Sequence, residues 1–345
     1  MTILLALIFA WSCTSIEANS PYEAEIFLSK EDVIWGFDFL SPTQIIFTER
    51  GGRLYLLDLK SKKTSEISGA PKVYSVGQGG LLDVRVHPRT QEIYLSYSQP
   101  IGENQSTTAL GRGKLQGSTL TDFKEIFSAR PASSEDIHYG SRIDFDGKGQ
   151  LFLSVGERNE RPMVQREDTH LGKIIRMNED GTSPKIFAKG LRNPQGMMIR
   201  PGTSELWEAE FGPRGGDEVN LIQEGKNFGW PVITYGREYW GPKIGEGSSK
   251  AGMEQPIKYW VPSISPSALT FYGGDKMRDW KGHIFLATLS GEHLRRLELV
   301  GQTITKEEEI LKDKGWRFRN VRTGPDGYLW FSTDEGKIGR VIQKQ

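Results

Sequence analysis

Six times along the chain one pattern returns: an apolar strand, a turn rich in Gly, Pro or Asp, then an apolar-aromatic strand ending near Ser, Thr or Glu. The second strands are Ile45-Ile46-Phe47-Thr48-Glu49, Ile93-Tyr94-Leu95-Ser96-Tyr97 and Leu151-Phe152-Leu153-Ser154-Val155. Leu206-Trp207-Glu208-Ala209-Glu210, Ile284-Phe285-Leu286-Ala287-Thr288 and Leu329-Trp330-Phe331-Ser332-Thr333 complete the set. The clearest preceding turns are Asp146-Gly147-Lys148-Gly149 and Pro325-Asp326-Gly327. Each copy with its flanks is long enough for a four-stranded sheet, the unit of a propeller blade. Six copies predict an all-β fold, a six-bladed β-propeller. Its ring would be closed by pairing N- and C-terminal strands in one blade, which leaves few exposed edges. A pair of β-sandwiches is the competing arrangement, because strand patterns alone do not fix closure.

The longest gap between copies leaves room for an insertion over Pro231 to Lys258, read as a long surface loop. The nearest thing to a helical run is Lys306 to Lys312, and it is short. Among 345 residues, 40 Gly and 36 aromatic side chains (9 Trp, 11 Tyr, 16 Phe) fit glycine-punctuated strands better than helices. Lys plus Arg equals Asp plus Glu, 44 each, so bulk charge gives no case for nucleic acid or an anionic membrane. Residues 1–20 are predicted to be an export signal with a short linker, and 21–345 the propeller. The apolar run Thr2 to Trp11 is too short to span a bilayer and reads as the core of a signal peptide. Cys13, the only cysteine, follows it and is a candidate lipid-anchor residue of a lipoprotein. The mature chain would then have no disulfide.

Familiar catalytic signatures are missing: there is no HExxH, GxSxG, P-loop or CxxC. The central stretch runs from Gly190-Leu191-Arg192-Asn193-Pro194-Gln195-Gly196 to Gly212-Pro213-Arg214-Gly215-Gly216-Asp217-Glu218. Arginines beside carboxylates in glycine-rich loops suggest an anionic ligand next to a hard cation such as calcium. His138 lies just before the first strand of the third repeat, at the expected channel mouth, where a neutral imidazole can accept a proton. Glu157, at the end of the same hairpin, could orient it. A surface histidine without a role is the alternative. Gln78, in Gly77-Gln78-Gly79-Gly80, can donate and accept. Arg192 and Asn193 suit a carboxylate-rich ligand. Arg317 and Arg319 fall on one strand face, which is costly unless an anion sits between them. Glu218 is either a calcium ligand or the partner of a nearby basic side chain. Trp240, Tyr259 and Trp260 are candidates for sugar stacking or for buried packing.

These residues resemble a known family. Gly77 to Val84, His138-Tyr139-Gly140-Ser141-Arg142, Leu171 to Arg176, Gly190 to Gly196, Gly212 to Glu218 and Pro262 to Ser267 look like motifs of the soluble pyrroloquinoline-quinone (PQQ) sugar dehydrogenases. The match is closest to the aldose sugar dehydrogenase (glucose/sorbosone dehydrogenase) branch. The resemblance covers Ile34 to the C-terminus and implies a six-bladed propeller holding PQQ and calcium over its channel. It implies oxidation of aldose sugars at C1 to the lactone, with His138 as the base, Glu157 beside it and an unidentified electron acceptor. It further implies cofactor contacts from Gln78, Arg192, Asn193, Arg317 and Arg319. The carbonyls of Gly212 and Pro213 match ligands of the cofactor's calcium, and Glu218 with the Phe228 carbonyl matches a second, structural calcium site. The sequence departs from the family at three places. Glu157 stands where aspartate is usual, and Phe211 where His or Gln is. Ser290 stands where Lys or Arg is frequent, a loss that Arg295 or Arg296 is positioned in sequence to offset. Phe211 and Ser290 support an alternative, a catalytically impaired propeller that binds a sugar or a partner.

Overall fold

The computed structural model describes residues 20–344. The signal segment and Cys13 lie outside the described residues. Six sheets succeed one another along the chain, antiparallel except for one short parallel pair, Ala188-Lys189 with Lys226-Asn227, at the edge of the third. Their first strands are Ile34–Ser41, Leu81–Val86, Gly140–Phe145, Pro194–Ile199, Pro266–Phe271 and Phe318–Thr323. Each of these packs against the first strand of the next sheet, and the sixth returns to the first. That closes a six-bladed propeller with the first strands around the central channel. All six repeated segments are the second strands of their blades.

The sixth blade closes the ring. Its outermost strand is Tyr22–Ser29, paired antiparallel with Lys337–Gln343 from the other end of the chain. Separation from the core grades the strands. Gly140–Phe145 and Leu206–Glu210 are buried along their whole length, whereas Thr119–Ser128, on an outer edge, is largely polar and exposed. Strands covered on both faces read as apolar runs, and half-exposed ones alternate.

The Ser and Thr of the repeated segments stitch neighbouring blades. Thr48 Oγ1 donates to the Leu82 carbonyl, Ser96 Oγ to Ser141, Ser154 Oγ to Pro194, and Ser332 Oγ to Ile34, at 2.6–2.8 Å. Every one of these crosses to the first strand of the following blade. At the fifth interface Ser267 Oγ donates to the Phe318 carbonyl (2.7 Å).

Two features bear on the sequence reading. The short Lys306 to Lys312 run lies mostly in the strand Thr303–Ile310, with a single turn of 3-10 helix at Lys312–Lys314. Its glutamates meet basic partners across the strand pair, Glu308 on Arg296 and Glu307 and Glu309 on Arg295, at 2.7–2.8 Å. Cross-strand ion pairs of this kind fix the register. Those same contacts hold Arg295 and Arg296 in the outer part of the fifth blade, so neither replaces the charge missing at Ser290. Ser290 instead shares a hydrogen bond with Ser265 Oγ (2.8 Å) and donates to the Ser263 carbonyl (3.3 Å).

Candidate functional site

At the hub of the propeller one buried side chain touches all six blades. Arg142 Nη1 bonds Asp83 (2.9 Å), Nε the Gln195 carbonyl (2.6 Å), and Nη2 the carbonyls of Ser267 (2.8 Å) and Arg319 (3.2 Å). Its guanidinium lies 4.2 Å from the Trp35 ring centroid. Burial pushes its pKa down to about 10, so it stays charged at neutral pH. It ties the innermost strands together, four residues after His138.

His138 is 6% exposed and sits at φ 56°, in the left-handed region that non-glycine residues rarely adopt. Three contacts hold it there. Gln78 Oε1 accepts its backbone N–H (2.9 Å), and its carbonyl accepts from Arg158 N (3.3 Å). Glu157 Oε1 binds its ring Nδ1 at 2.6 Å. Gly156 is required at this point, because a Cβ there would collide with the His138 carbonyl. The Glu157 amide in turn donates to the Arg192 carbonyl (2.8 Å), and Asn193 Oδ1 accepts from Gly140 N (3.1 Å), which joins blades three and four. Burial first, and then the positive charge of Arg192, push the His138 imidazole below its ordinary range. Glu157 opposes them without cancelling them.

Gln78, His138, Glu157, Arg192 and Asn193, from three blades, therefore meet in one bonded cluster. Within it Glu157 Oε2, Arg192 Nε and Asn193 Nδ2 are buried without a hydrogen-bond partner. Buried polar atoms are rarely left so. The two donors suit an anionic group rich in acceptors, whereas the Glu157 oxygen would need a donor. Arg192 Nη1 donates to the carbonyls of Phe211 (3.0 Å) and Gly212 (2.9 Å), so a cation on the Gly212 carbonyl would share it with the guanidinium. Asp217 braces this loop by accepting from the Gly212 (2.8 Å), Ile264 (2.6 Å) and Ser265 (2.7 Å) amides.

Arg317 and Arg319 do share an anion, and it is internal. Asp334 accepts from Arg317 Nε (3.1 Å) and from Arg319 Nε (2.7 Å) and Nη2 (3.0 Å). A second carboxylate, Glu335, accepts from the Arg317 amide (3.1 Å), so the pair's positive charge is largely answered within the chain. Arg319 is buried and also reaches Gln195 Oε1 (3.2 Å), whereas Arg317 is exposed. Phe318 between them is buried in the core.

A second cluster lies on the hairpin of the fourth blade. Glu208 faces Asn220 and Glu210 faces Glu218 across the two strands. Glu208 and Glu218 both accept from Asn220 Nδ2 (3.1 and 3.4 Å), and none of the three glutamates forms a salt bridge among the described residues. Burial and the neighbouring charge of Glu210 hold Glu208 and Glu218 well above the usual carboxylate range. Burial pushes Glu210 up to about 7, against the amides of Arg192 and Asn193 that bind it. Glu210, Glu218, Gly212 and Phe228 line one small cavity. Glu218 has no basic partner among the described residues, and no group of three or more His, Cys, Asp or Glu there is placed to hold a metal ion, so an ion at Glu218 would depend on backbone carbonyls for its other ligands.

The three aromatic candidates divide. Trp240 is 75% exposed and Tyr259 stacks on Tyr235 at 3.7 Å, but Trp260 is buried with its indole N–H on Glu307 (2.8 Å). Sequence reasoning missed Asp334, Glu210 and Asp83. A signal existed: Glu49, Glu157, Glu210 and Asp334 all stand at or just beyond the end of a repeated strand.

The glucose/sorbosone dehydrogenase family profile matches residues 31–343. The chain is 40% identical over 339 residues to the aldose sugar dehydrogenase YliI of Escherichia coli, covering 92% of this chain and 91% of that protein. The crystal structure of the soluble aldose sugar dehydrogenase of E. coli in its apo form superposes with a TM-score of 0.90 at 39% identity, over 94% of this chain and all of that one. The PQQ-bound aldose sugar dehydrogenase of Streptomyces coelicolor shares the fold (TM-score 0.76, 23% identity, 94% of this chain and 98% of that one). Six blades, a histidine held at the channel mouth and these likenesses agree, and the chain belongs to the glucose/sorbosone dehydrogenase family.

Proposed function

We propose that the protein is an exported, PQQ- and calcium-dependent dehydrogenase that oxidises aldose sugars at C1 to the lactone. The observation that carries this reading is the buried His138–Glu157 pair beside the unpartnered donors of Arg192 and Asn193. PQQ, when bound, would accept the hydride and supply the redox chemistry. The residues for holding it are Gln78, Arg192, Asn193, Arg317 and Arg319, with calcium at the Gly212 and Pro213 carbonyls. Glu218 and the Phe228 carbonyl are the residues for a structural calcium.

His138 serves as the base. With Nδ1–H donated to Glu157, ring Nε2 is the free acceptor for the proton of the C1 hydroxyl. Because the imidazole is held neutral at pH 7, it is ready to take that proton. The Glu157 carboxylate then stabilises the imidazolium and keeps its plane fixed. Gln78 holds the His138 backbone, and Arg192 places positive charge where an anionic ligand would lie. Electrons leave to an unidentified acceptor, an artificial dye in vitro and a periplasmic carrier in the cell. Export rests on the apolar N-terminal segment, with Cys13 as the candidate lipid anchor. Among the described residues no helix is long and apolar enough to cross a membrane.

The second reading is a propeller that binds a sugar or partner without turnover. It is favoured by Phe211, whose side chain has no hydrogen-bonding group, and by Ser290, whose hydroxyl is occupied by Ser263 and Ser265. Titrating the purified chain with PQQ in calcium, and following dye reduction by a panel of aldoses with and without chelator, separates the two. Saturable, calcium-dependent dye reduction is expected. PQQ binding with no reduced-PQQ absorbance on sugar addition would favour the binding module.

A further inference from the structure

Beside the candidate site, three short segments of chain form an antiparallel ribbon. Arg214 pairs with Arg237, and Arg237 pairs with Lys243. The backbone bonds are Arg214 N to the Arg237 carbonyl (3.1 Å), Arg237 N to the Arg214 carbonyl (3.4 Å) and Glu238 N to the Pro242 carbonyl (2.9 Å). Residues directly opposite across such pairs carry their side chains on one face. Three cations are thus ranked side by side, all exposed, and none forms a salt bridge among the described residues. Like charges directly opposite one another are unfavourable, and the sequence has equal numbers of acidic and basic residues to draw on.

The ribbon is pinned between the two halves of the site. Glu238 points to its other face and holds Arg161 through both carboxylate oxygens, four residues after Glu157. Arg214 follows Gly212 and Pro213 directly, and Gly236 packs so closely on Pro213 and Gly215 that a Cβ would clash. Thr234 lines both the small cavity at Arg192 and Gly212 and an open recess of about 290 Å³ bordered by Arg237 and Lys243. At the turn of the ribbon Tyr239 and Trp240 are 64% and 75% exposed. Exposed aromatic rings at a fixed turn offer flat faces for a sugar ring, and forked guanidinium groups suit a carboxylate.

We propose that Arg214, Arg237 and Lys243 form a subsite for a carboxylate carried on the non-reacting ring of the substrate, with Tyr239 and Trp240 against that ring. The preferred substrates are then acidic oligosaccharides, uronate-bearing at one end and oxidised at the anomeric carbon of the other. This rests on the sugar-oxidation reading, but binding at the subsite needs no turnover. A neutral ligand would leave the three cations unpaired.

The test uses two saccharides that cannot be oxidised because their anomeric carbon is blocked: methyl cellobioside and the methyl glycoside of glucuronosyl-glucose. Binding is measured by calorimetry in calcium, with and without PQQ, at low and raised salt. The glucuronosyl compound should bind roughly tenfold tighter, with the advantage shrinking as salt screens it. The double variant Arg237→Gln/Lys243→Gln should lose that preference while binding methyl cellobioside as before, and Trp240→Ala should weaken both ligands. Equal affinity for the two saccharides, with and without PQQ, overturns the proposal. So does a double variant that keeps the preference, or one that loses PQQ affinity and leaves saccharide binding intact, which would assign the cations to the cofactor. Failure of the dye assay with the acidic preference intact would instead remove the dehydrogenase reading and leave the subsite standing.

Discussion

Replacing Arg142 by Met removes a side chain that touches every blade. The methionine fills part of the volume but makes none of the four hydrogen bonds. Asp83, fully buried, would keep the Ile143 amide (3.1 Å) and a distant Arg322 at 3.7 Å. The carbonyls of Gln195, Ser267 and Arg319 would each lose a charged donor. Breaking a buried ion pair from one side costs about 3–5 kcal/mol, because the remaining charge stays desolvated. With an unfolding entropy of about 2 cal/mol/K per residue, a domain this large loses about 5–8 °C in melting temperature. Thermal unfolding followed by circular dichroism at pH 7, in chelator, measures it. Arg142→Lys, which keeps charge but not the fork, should fall between. Changing Asp83 to Asn alongside Arg142→Met should recover part of the loss. A melting temperature for Arg142→Met within a degree of the parent would refute the view that this guanidinium ties the ring together.

The other expectations concern the site and its supports. His138→Ala should abolish turnover in the PQQ-loaded protein without changing its PQQ titration, and Glu157→Gln should slow turnover by about 10²–10⁴-fold; unchanged rates would mean the base is misassigned. The His138 pKa lies below its unfolded value of 6.5, so the unfolded chain binds more protons between the two. The stability His138 contributes is therefore complete above pH 6.5 and is lost as pH falls toward the folded value, and His138→Asn should flatten that part of a stability–pH curve. Glu218→Gln should stabilise the protein in chelator, by removing one of three crowded buried carboxylates, and should erase the rise in melting temperature on adding calcium; a retained calcium shift would place the ion elsewhere. Ser154→Ala strands the Pro194 carbonyl at a blade interface and should cost about 1 kcal/mol in a urea titration.

The six repeated segments were readable because strands covered on both faces must be apolar, and in four of them a Ser or Thr recurs because the blade interface leaves a carbonyl to satisfy. The gathering of Gln78, His138, Glu157, Arg192 and Asn193 was legible only as separate motifs. The short Lys306 to Lys312 run settles into a strand because its glutamates answer to Arg295 and Arg296 on the neighbouring strand, contacts that no local pattern records. Asp334 was invisible as the anion between Arg317 and Arg319 for the same reason: the residues lie on adjacent strands rather than in one motif.

The amino-acid sequence by itself determined the number of blades, the strands that build them and the family, since these follow from local periodicity and short motifs. Only the tertiary structure decided which charges are paired and which are not. It put Arg142 at the hub and, among the described residues, left three glutamates without a salt bridge and ranked Arg214, Arg237 and Lys243 together with no ion pair. The physical reason is that charge pairing depends on separation in space over a few ångströms, and closing the ring brings together residues that lie far apart in the chain.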